Sequence, residues 1–179
     1  FGSYRMVAGF MLSNQLTDFS SEPVTPGGVE VANRIEPGKR PRSSMAPTLV
    51  FRAAGAGADP SGRKLEMVVG SPGGSWIIQF VVKALVASID WGLDPQQAAS
   101  MVNFGAANSP VTNIDGAHPL VRSADDGRSD PLAIALRSLG HQVNLKPISS
   151  GIAIVARDGA GWIGGADPRR EGEVMGDSG

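Results

Sequence analysis

The sequence predicts an α+β fold, an antiparallel sheet with helices packed on one face. Three observations carry that expectation. Apolar and β-branched runs at 48–53, 65–69, 152–157 and 162–165 are flanked by glycine, proline and aspartate, as strands are. Two Asp-Pro pairs, Asp94-Pro95 and Asp130-Pro131, place an N-cap before a first-turn proline and so open helices. A long stretch at 75–91 carries apolar residues at helical spacing.

Taken in order, 9–13 reads as a short strand. A loop at 20–42 follows, rich in turn formers (Pro23, Pro26, Gly27, Gly28 and Pro37), and a loop of that length in a compact domain is usually functional or mobile. The runs at 48–53 and 65–69 form a hairpin with a loose tip at 55–62. In 75–91, Ile78, Val82, Leu85 and Ile89 make one stripe and Ile77, Val81 and Ala84 another, which predicts a helix buried on most sides. Further helices run from Asp94-Pro95 through Met101 and from Asp130-Pro131 to a stop at Gly140. Asp158-Gly159-Ala160-Gly161 joins the last two strands as a hairpin. No repeat, low-complexity tract or linker interrupts the chain, so 1–179 is expected to be a single domain.

Composition excludes several classes of function. Sixteen Lys and Arg against seventeen Asp and Glu give a formal charge of −1, with both signs scattered, so no footprint for nucleic acid or anionic lipid is present. Absence of cysteine removes disulfides, thiolate metal sites and thiol nucleophiles, and leaves the compartment open. Gln79, Lys83 and Ser88 interrupt the most apolar run before it reaches the ~18 residues of a membrane span. His118 and His141 are far apart and lack metal-ligand neighbours, which points to loop and surface roles, and Trp76, Trp91 and Trp162 read as packing residues.

Three segments carry chemistry. In Gly70-Ser71-Pro72-Gly73-Gly74-Ser75 a strand ends, proline sets a turn, and paired glycines precede the long helix. Glycines at that junction present backbone N–H groups at the positive end of the helix dipole, so Gly73 and Gly74 are candidates for an oxyanion hole. The same pair also suits a tight turn that needs glycine only for its backbone angles. Ser43 and Ser44 follow Pro37-Gly38-Lys39-Arg40-Pro41-Arg42, where the prolines stiffen the loop and adjacent hydroxyls can donate to a carboxylate. In Ser13-Asn14-Gln15-Leu16-Thr17-Asp18, the Asp18 carboxylate and the Gln15 amide are acceptors suited to a substrate ammonium. Each of these also has a plain structural reading, as a turn former or a cap.

In their order, N-Q-x-x-D-F, P-G-K-R-P-x-S-S-M and G-S-P-G-G-S resemble the small subunit of the γ-glutamyltransferases, also called γ-glutamyl transpeptidases or glutathione hydrolases. The likeness extends to Ala166-Asp167-Pro168-Arg169-Arg170. It implies an N-terminal-nucleophile hydrolase, part of a four-layer αββα sandwich, made as a precursor that cleaves itself into large and small subunits. It further implies a threonine nucleophile at the new N-terminus and no metal or organic cofactor. By that resemblance Gln15 and Asp18 bind the α-amino group of a γ-glutamyl donor, Ser43 and Ser44 its α-carboxylate, and Gly73 and Gly74 the oxyanion. Expected partners are the large subunit of the same precursor and a small γ-glutamyl substrate, and family members suggest a periplasmic or extracellular location.

Some features depart from the pattern. The family's threonine falls upstream of Phe1, so the chain alone is expected to be inactive. Gln15 stands where many relatives carry Glu, and the 20–42 loop has no Tyr or Trp to cover the donor. These differences leave room for a cephalosporin-acylase-like amidohydrolase, or for a non-catalytic module that binds an amino acid or anion. The sheet is expected to expose an apolar face to the large subunit.

Overall fold

The computed structural model describes residues 4–53, 62–106 and 108–176. The chain divides into two compact units, 1–44 and 45–179.

The first unit begins with a minimal hairpin, β1 (Met6–Val7) against β2 (Phe10–Met11), turning through Ala8 and Gly9 at positive φ. The strand expected at 9–13 is therefore one arm of a shorter hairpin. A single 3₁₀ turn, Gln15–Asp18, follows. The long loop beyond it is folded on itself: Val24 bridges Glu30, and the Thr25 hydroxyl accepts the Val29 N–H at 3.1 Å. Arg34 pairs with Glu30 and Glu36 at 3.0 and 2.6 Å, and Lys39 with Glu36 at 2.9 Å. Lys39, with Arg34 assisting, holds the Glu36 carboxyl below its ordinary range. No described residue of this unit is buried.

The second unit holds β3 (Thr48–Ala53), β4 (Arg63–Gly70), α1 (Ile77–Ile89), α2 (Pro95–Ser100), β5 (Phe104–Gly105), β6 (Val111–Asp115), α3 (Pro131–Ser138), β7 (Gln142–Lys146), β8 (Ala153–Asp158) and β9 (Gly161–Ala166). An antiparallel sheet in the order β3-β4-β8-β9 carries the core. Period-two alternation sorts its faces. Met67, Val69 and Ile154 point inward and are buried, while the cross-strand row Leu49, Val68 and Val155 points outward and stays exposed. The hairpin tip expected at 55–62 lies, apart from Gly62, outside the described residues.

Helix α1 covers the inner face with Ile77, Phe80, Val81, Ala84 and Ala87. It is not buried on most sides: Ile78, Val82 and Ile89 are more than half exposed, and of that stripe Leu85 packs against the core. Both Asp-Pro pairs cap as their sequence predicts. Asp94 accepts the Gln97 N–H at 2.8 Å while the Gln97 side chain accepts the Asp94 N–H, and Asp130 accepts the Ala133 N–H at 2.9 Å. A Cβ at Gly165 would run into the backbone of Pro95 and Gln96, so glycine lets β9 and α2 meet backbone to backbone. There the Gln96 amide exchanges hydrogen bonds with Ala166 N–H and C=O.

A second sheet, β5-β6-β7, was not anticipated, and β6 and β7 run parallel with α3 in their crossover. Asn113 and Asn144 join across it by a side-chain hydrogen bond. His118 also differs from expectation: it is buried, with Nε2 at 3.0 Å from the Ser100 carbonyl oxygen and Nδ1 accepting the Leu120 N–H. His141 is exposed, as expected, and meets the Thr112 hydroxyl. Trp76 stacks on Phe80, whereas Trp91 is more than half exposed and Trp162 lies half-exposed beneath the Arg157 guanidinium.

Between the sheets lies a continuous buried polar network. Asp167 accepts from the Ser150 hydroxyl, the Ile152 N–H and both the backbone and guanidinium of Arg169. Arg169 continues to Asp115 at 3.3 Å and to the Ala99 and Met101 carbonyls. Burial pushes the Asp167 carboxyl up, but the Ser150 hydroxyl, these N–H groups and the Arg169 charge outweigh it and hold the group ionised below its ordinary range. Asn103 joins Ser150 to Lys83, whose ammonium donates to Asn103 Oδ1 at 2.8 Å and to the Met101 carbonyl at 3.0 Å.

Burial, reinforced by the Arg169 charge and opposed by Asp167 and Asp115, pulls Lys83 down to about 8 from 10.5. Below pH 8 the lysine is charged in both folded and unfolded chains. Between about 8 and 10.5 the folded chain releases a proton that the unfolded chain keeps, so this group makes stability rise with pH. Its contribution across that window is up to about 3 kcal/mol. Denaturant titrations at pH 7, 9 and 10 should show the wild type gaining on Lys83→Met as pH rises; a constant difference between the two would refute the assignment.

Candidate active site

Strand β4 ends at Gly70, and the chain turns through Ser71 and Pro72 into Gly73 at φ 136° and Gly74 at φ 58°. Both angles lie where L side chains are strained, which is why two glycines stand here. Space adds a second constraint at Gly73 only. A Cβ there would come within 2.5 Å of the Phe80 ring, whereas nothing lies near the corresponding position of Gly74. The Gly73 carbonyl accepts the Trp76 N–H at 3.2 Å and starts the 3₁₀ turn Gly74–Trp76, which runs directly into α1. Among the described residues, neither the Gly73 nor the Gly74 N–H has a protein acceptor. Two adjacent donors at the head of a helix are suited to a developing oxyanion.

The turn is braced from behind. Ser71 Oγ accepts the Gly151 N–H at 3.2 Å and donates to the Pro72 carbonyl at 2.7 Å, and Gly151 has no room for a Cβ against the Pro72 ring. Arg170 holds the adjacent Ser150 carbonyl at 3.0 Å. The buried network thus reaches the turn through residues 150–151, a link that Ser71, read at first only as part of the motif, supplies.

Gln15 and Asp18 lie at the two ends of the 3₁₀ turn in the first unit, Gln15 half-buried and Asp18 exposed. The Gln15 N–H donates to the Ser13 hydroxyl and the Thr17 hydroxyl to the Asn14 carbonyl, which fixes the turn locally. Ser43 is exposed and Ser44 half-buried. One side chain joins the two segments: Asn33 donates to the Asp18 carbonyl at 2.7 Å and accepts the Arg42 N–H at 2.9 Å. Sequence reading passed over Asn33. Among the described residues no group of three or more His, Asp and Glu is placed to hold a metal ion.

The sequence profile of the gamma-glutamyltranspeptidase family matches residues 1–177. The chain belongs to this family. It is 31% identical over 182 residues to a glutathione hydrolase proenzyme of Bacillus subtilis, covering 98% of this chain and 27% of that protein. A glutathione hydrolase proenzyme of Escherichia coli is 40% identical over 101 residues, which is 54% of this chain and 16% of the relative. The chain therefore spans about a quarter or less of the length of these relatives. Among solved structures, gamma-glutamyltranspeptidase from Pseudomonas nitroreducens complexed with L-DON superposes with a TM-score of 0.71 at 28% identity, covering 99% of this chain and 86% of that one. The mixed fold with antiparallel sheets is that of the gamma-glutamyltranspeptidases. A cephalosporin acylase from Bacillus halodurans, 22% identical with a TM-score of 0.68 over 96% of this chain and 28% of that one, shares the fold.

The two glycines should respond differently to alanine. At Gly74 only backbone strain opposes a Cβ, of order 1 kcal/mol. At Gly73, φ 136° lies outside the left-handed well and a Cβ also collides with a fully buried ring, so Gly73→Ala should destabilise by at least about 2 kcal/mol more. Equal melting temperatures for the two variants would contradict the packing described.

Proposed function

We propose that this chain is the small-subunit portion of a γ-glutamyl acyl-transfer enzyme. The observation that carries the reading is the Gly73-Gly74 turn, two N–H donors without acceptors among the described residues at a strand-to-helix junction in a member of this family. A threonine nucleophile supplied from upstream of Phe1 attacks the γ-carbonyl of the donor through Oγ and passes its proton to its own free α-amine. Negative charge builds on the carbonyl oxygen and is met by the Gly73 and Gly74 N–H groups. Collapse breaks the C–N bond, the leaving amine takes the proton, and a γ-glutamyl ester remains on threonine. Water or the amino group of an acceptor then attacks the ester, giving hydrolysis or transfer and restoring the hydroxyl.

The donor is held at its α-carbon. Asp18 and Gln15 accept from the α-ammonium, and Ser43 and Ser44 donate to the α-carboxylate, so the reading selects a free α-amino acid end on the donor. The large subunit of the same precursor is the proposed partner. The exposed row Leu49, Val68 and Val155 on the outer sheet face supports a covering chain of that kind.

The test uses the full-length gene product. Intact masses should reveal two chains, the smaller beginning with threonine upstream of Phe1, and the purified enzyme should turn over a γ-glutamyl anilide. Asp18→Ala and Ser44→Ala should each raise the donor KM by about tenfold to a hundredfold, the loss of a hydrogen bond to a charged group. Normal donor KM in both variants would sink the site assignment. A single uncleaved chain that still binds glutamate would favour the non-catalytic binding module.

A further inference from the structure

We propose that Asn33 is the positioning residue that sets the separation of the two donor-binding segments, acting through the Asp18 carbonyl and the Arg42 N–H. This rests on the donor site argued above and adds to it a residue that touches no substrate.

The geometry is specific to an amide. Asn33 Nδ2 donates to the Asp18 carbonyl at 2.7 Å, and its Oδ1 accepts the Arg42 N–H at 2.9 Å. A carbonyl can only accept and a backbone N–H can only donate, so the two partners fix which end of the amide faces which. Asp18 closes the 3₁₀ turn, and Arg42 immediately precedes Ser43 and Ser44. One planar group therefore spans segments fifteen residues away on one side and nine on the other. Its own backbone is tied as well: the Asn33 carbonyl accepts the Ser20 N–H at 2.9 Å. Flanking residues hold the strap in place, with Lys39 donating to the Ala32 carbonyl and Arg34 paired to Glu30 and Glu36.

An α-amino acid end places its ammonium and carboxylate on a single carbon, so the groups that read them must keep a fixed spacing. In this unit no described residue is buried, and packing cannot supply that precision. The Asn33 amide does so by hydrogen bonding to backbone on both sides. Aspartate at this position keeps the acceptor for Arg42 but opposes a carboxylate to the Asp18 carbonyl. Alanine loses both contacts.

The experiment is steady-state kinetics on the processed full-length enzyme, with a γ-glutamyl anilide as donor and glycylglycine as acceptor. Asn33→Ala and Asn33→Asp should each raise the donor KM about tenfold, with kcat within about threefold and the acceptor KM unchanged. In an Asp18→Ala background, Asn33→Ala should add much less than it does alone, because the group it places is gone. Should Asn33→Ala fail to accumulate, Asn33→Asp, which has the same volume, carries the test. A donor KM within twofold of wild type in the Asn33 variant, beside a raised KM in Asp18→Ala, overturns this proposal and leaves the donor site standing. Unchanged KM in Asp18→Ala overturns both. Full additivity of the two substitutions, or a matching rise in acceptor KM, assigns Asn33 to general loop stability and refutes a positioning role.

Discussion

Asp167 is buried yet ionised, and much of the second unit is arranged as the set of donors that makes this possible. Ser150, the Ile152 N–H and Arg169 meet the carboxylate directly. Each of those donors is in turn fixed by something else: Ser150 by Asn103, Ile152 by its entry into β8, and Arg169 by Asp115 and two carbonyls. Removing one member leaves an uncompensated charge or an orphaned amide in a low-dielectric interior, which is more damaging than the pair is stabilising. The network thus ties the C-terminal segment to α2 and β6 through directional contacts.

That arrangement reaches the glycine turn. Residues 150–151 lie between Asp167 and Ser71, and the Gly151 N–H to Ser71 contact together with the Gly151–Pro72 packing sets where the turn begins. Phe80, stacked under Trp76, closes it from the helix side and leaves Gly73 no room for a side chain. The turn that carries the two proposed oxyanion donors is consequently held from both flanks by parts of the core, as preorganisation of such a site would require.

How much of this was legible in the sequence follows from the range of the forces involved. The two hairpins of the main sheet, the Asp-Pro caps and the Gly73-Gly74 turn are written in neighbouring residues and were readable there. The parallel pair β6-β7 was not, because five-residue strands filled with Thr, Asn, Asp, Gln and Lys give little periodic signal and pair across a crossover that holds a helix. Helix α1 offered two apolar stripes, and nothing local tells which one the sheet covers. Lys83 looked like a break in an apolar run, although a lone lysine on the face shared with Phe80 and Ala84 was a signal of a buried partner. Asn33 gave less still: its partners lie nine and fifteen residues away, and a loop asparagine is usually only a turn former.

The two units solve the problem of precision by different physics. In the second, an apolar core is joined by a buried polar network of directional contacts. The first has large apolar groups largely exposed, among them Tyr4, Phe10, Leu16 and Ile35, so burial contributes little to its order. Its order draws on local interactions, among them prolines that limit the unfolded ensemble, Thr25 and Asn33 bonding to backbone, and a cluster in which Arg34 and Lys39 share Glu36. Exposed ion pairs of this kind contribute little each and weaken with salt, whereas hydrogen bonds from a partly buried amide to backbone do not depend on ionic strength. In the proposed donor site the amide of Asn33 sets the spacing of Asp18 from Ser43 and Ser44, and the charged cluster around it acts as a support for that side chain.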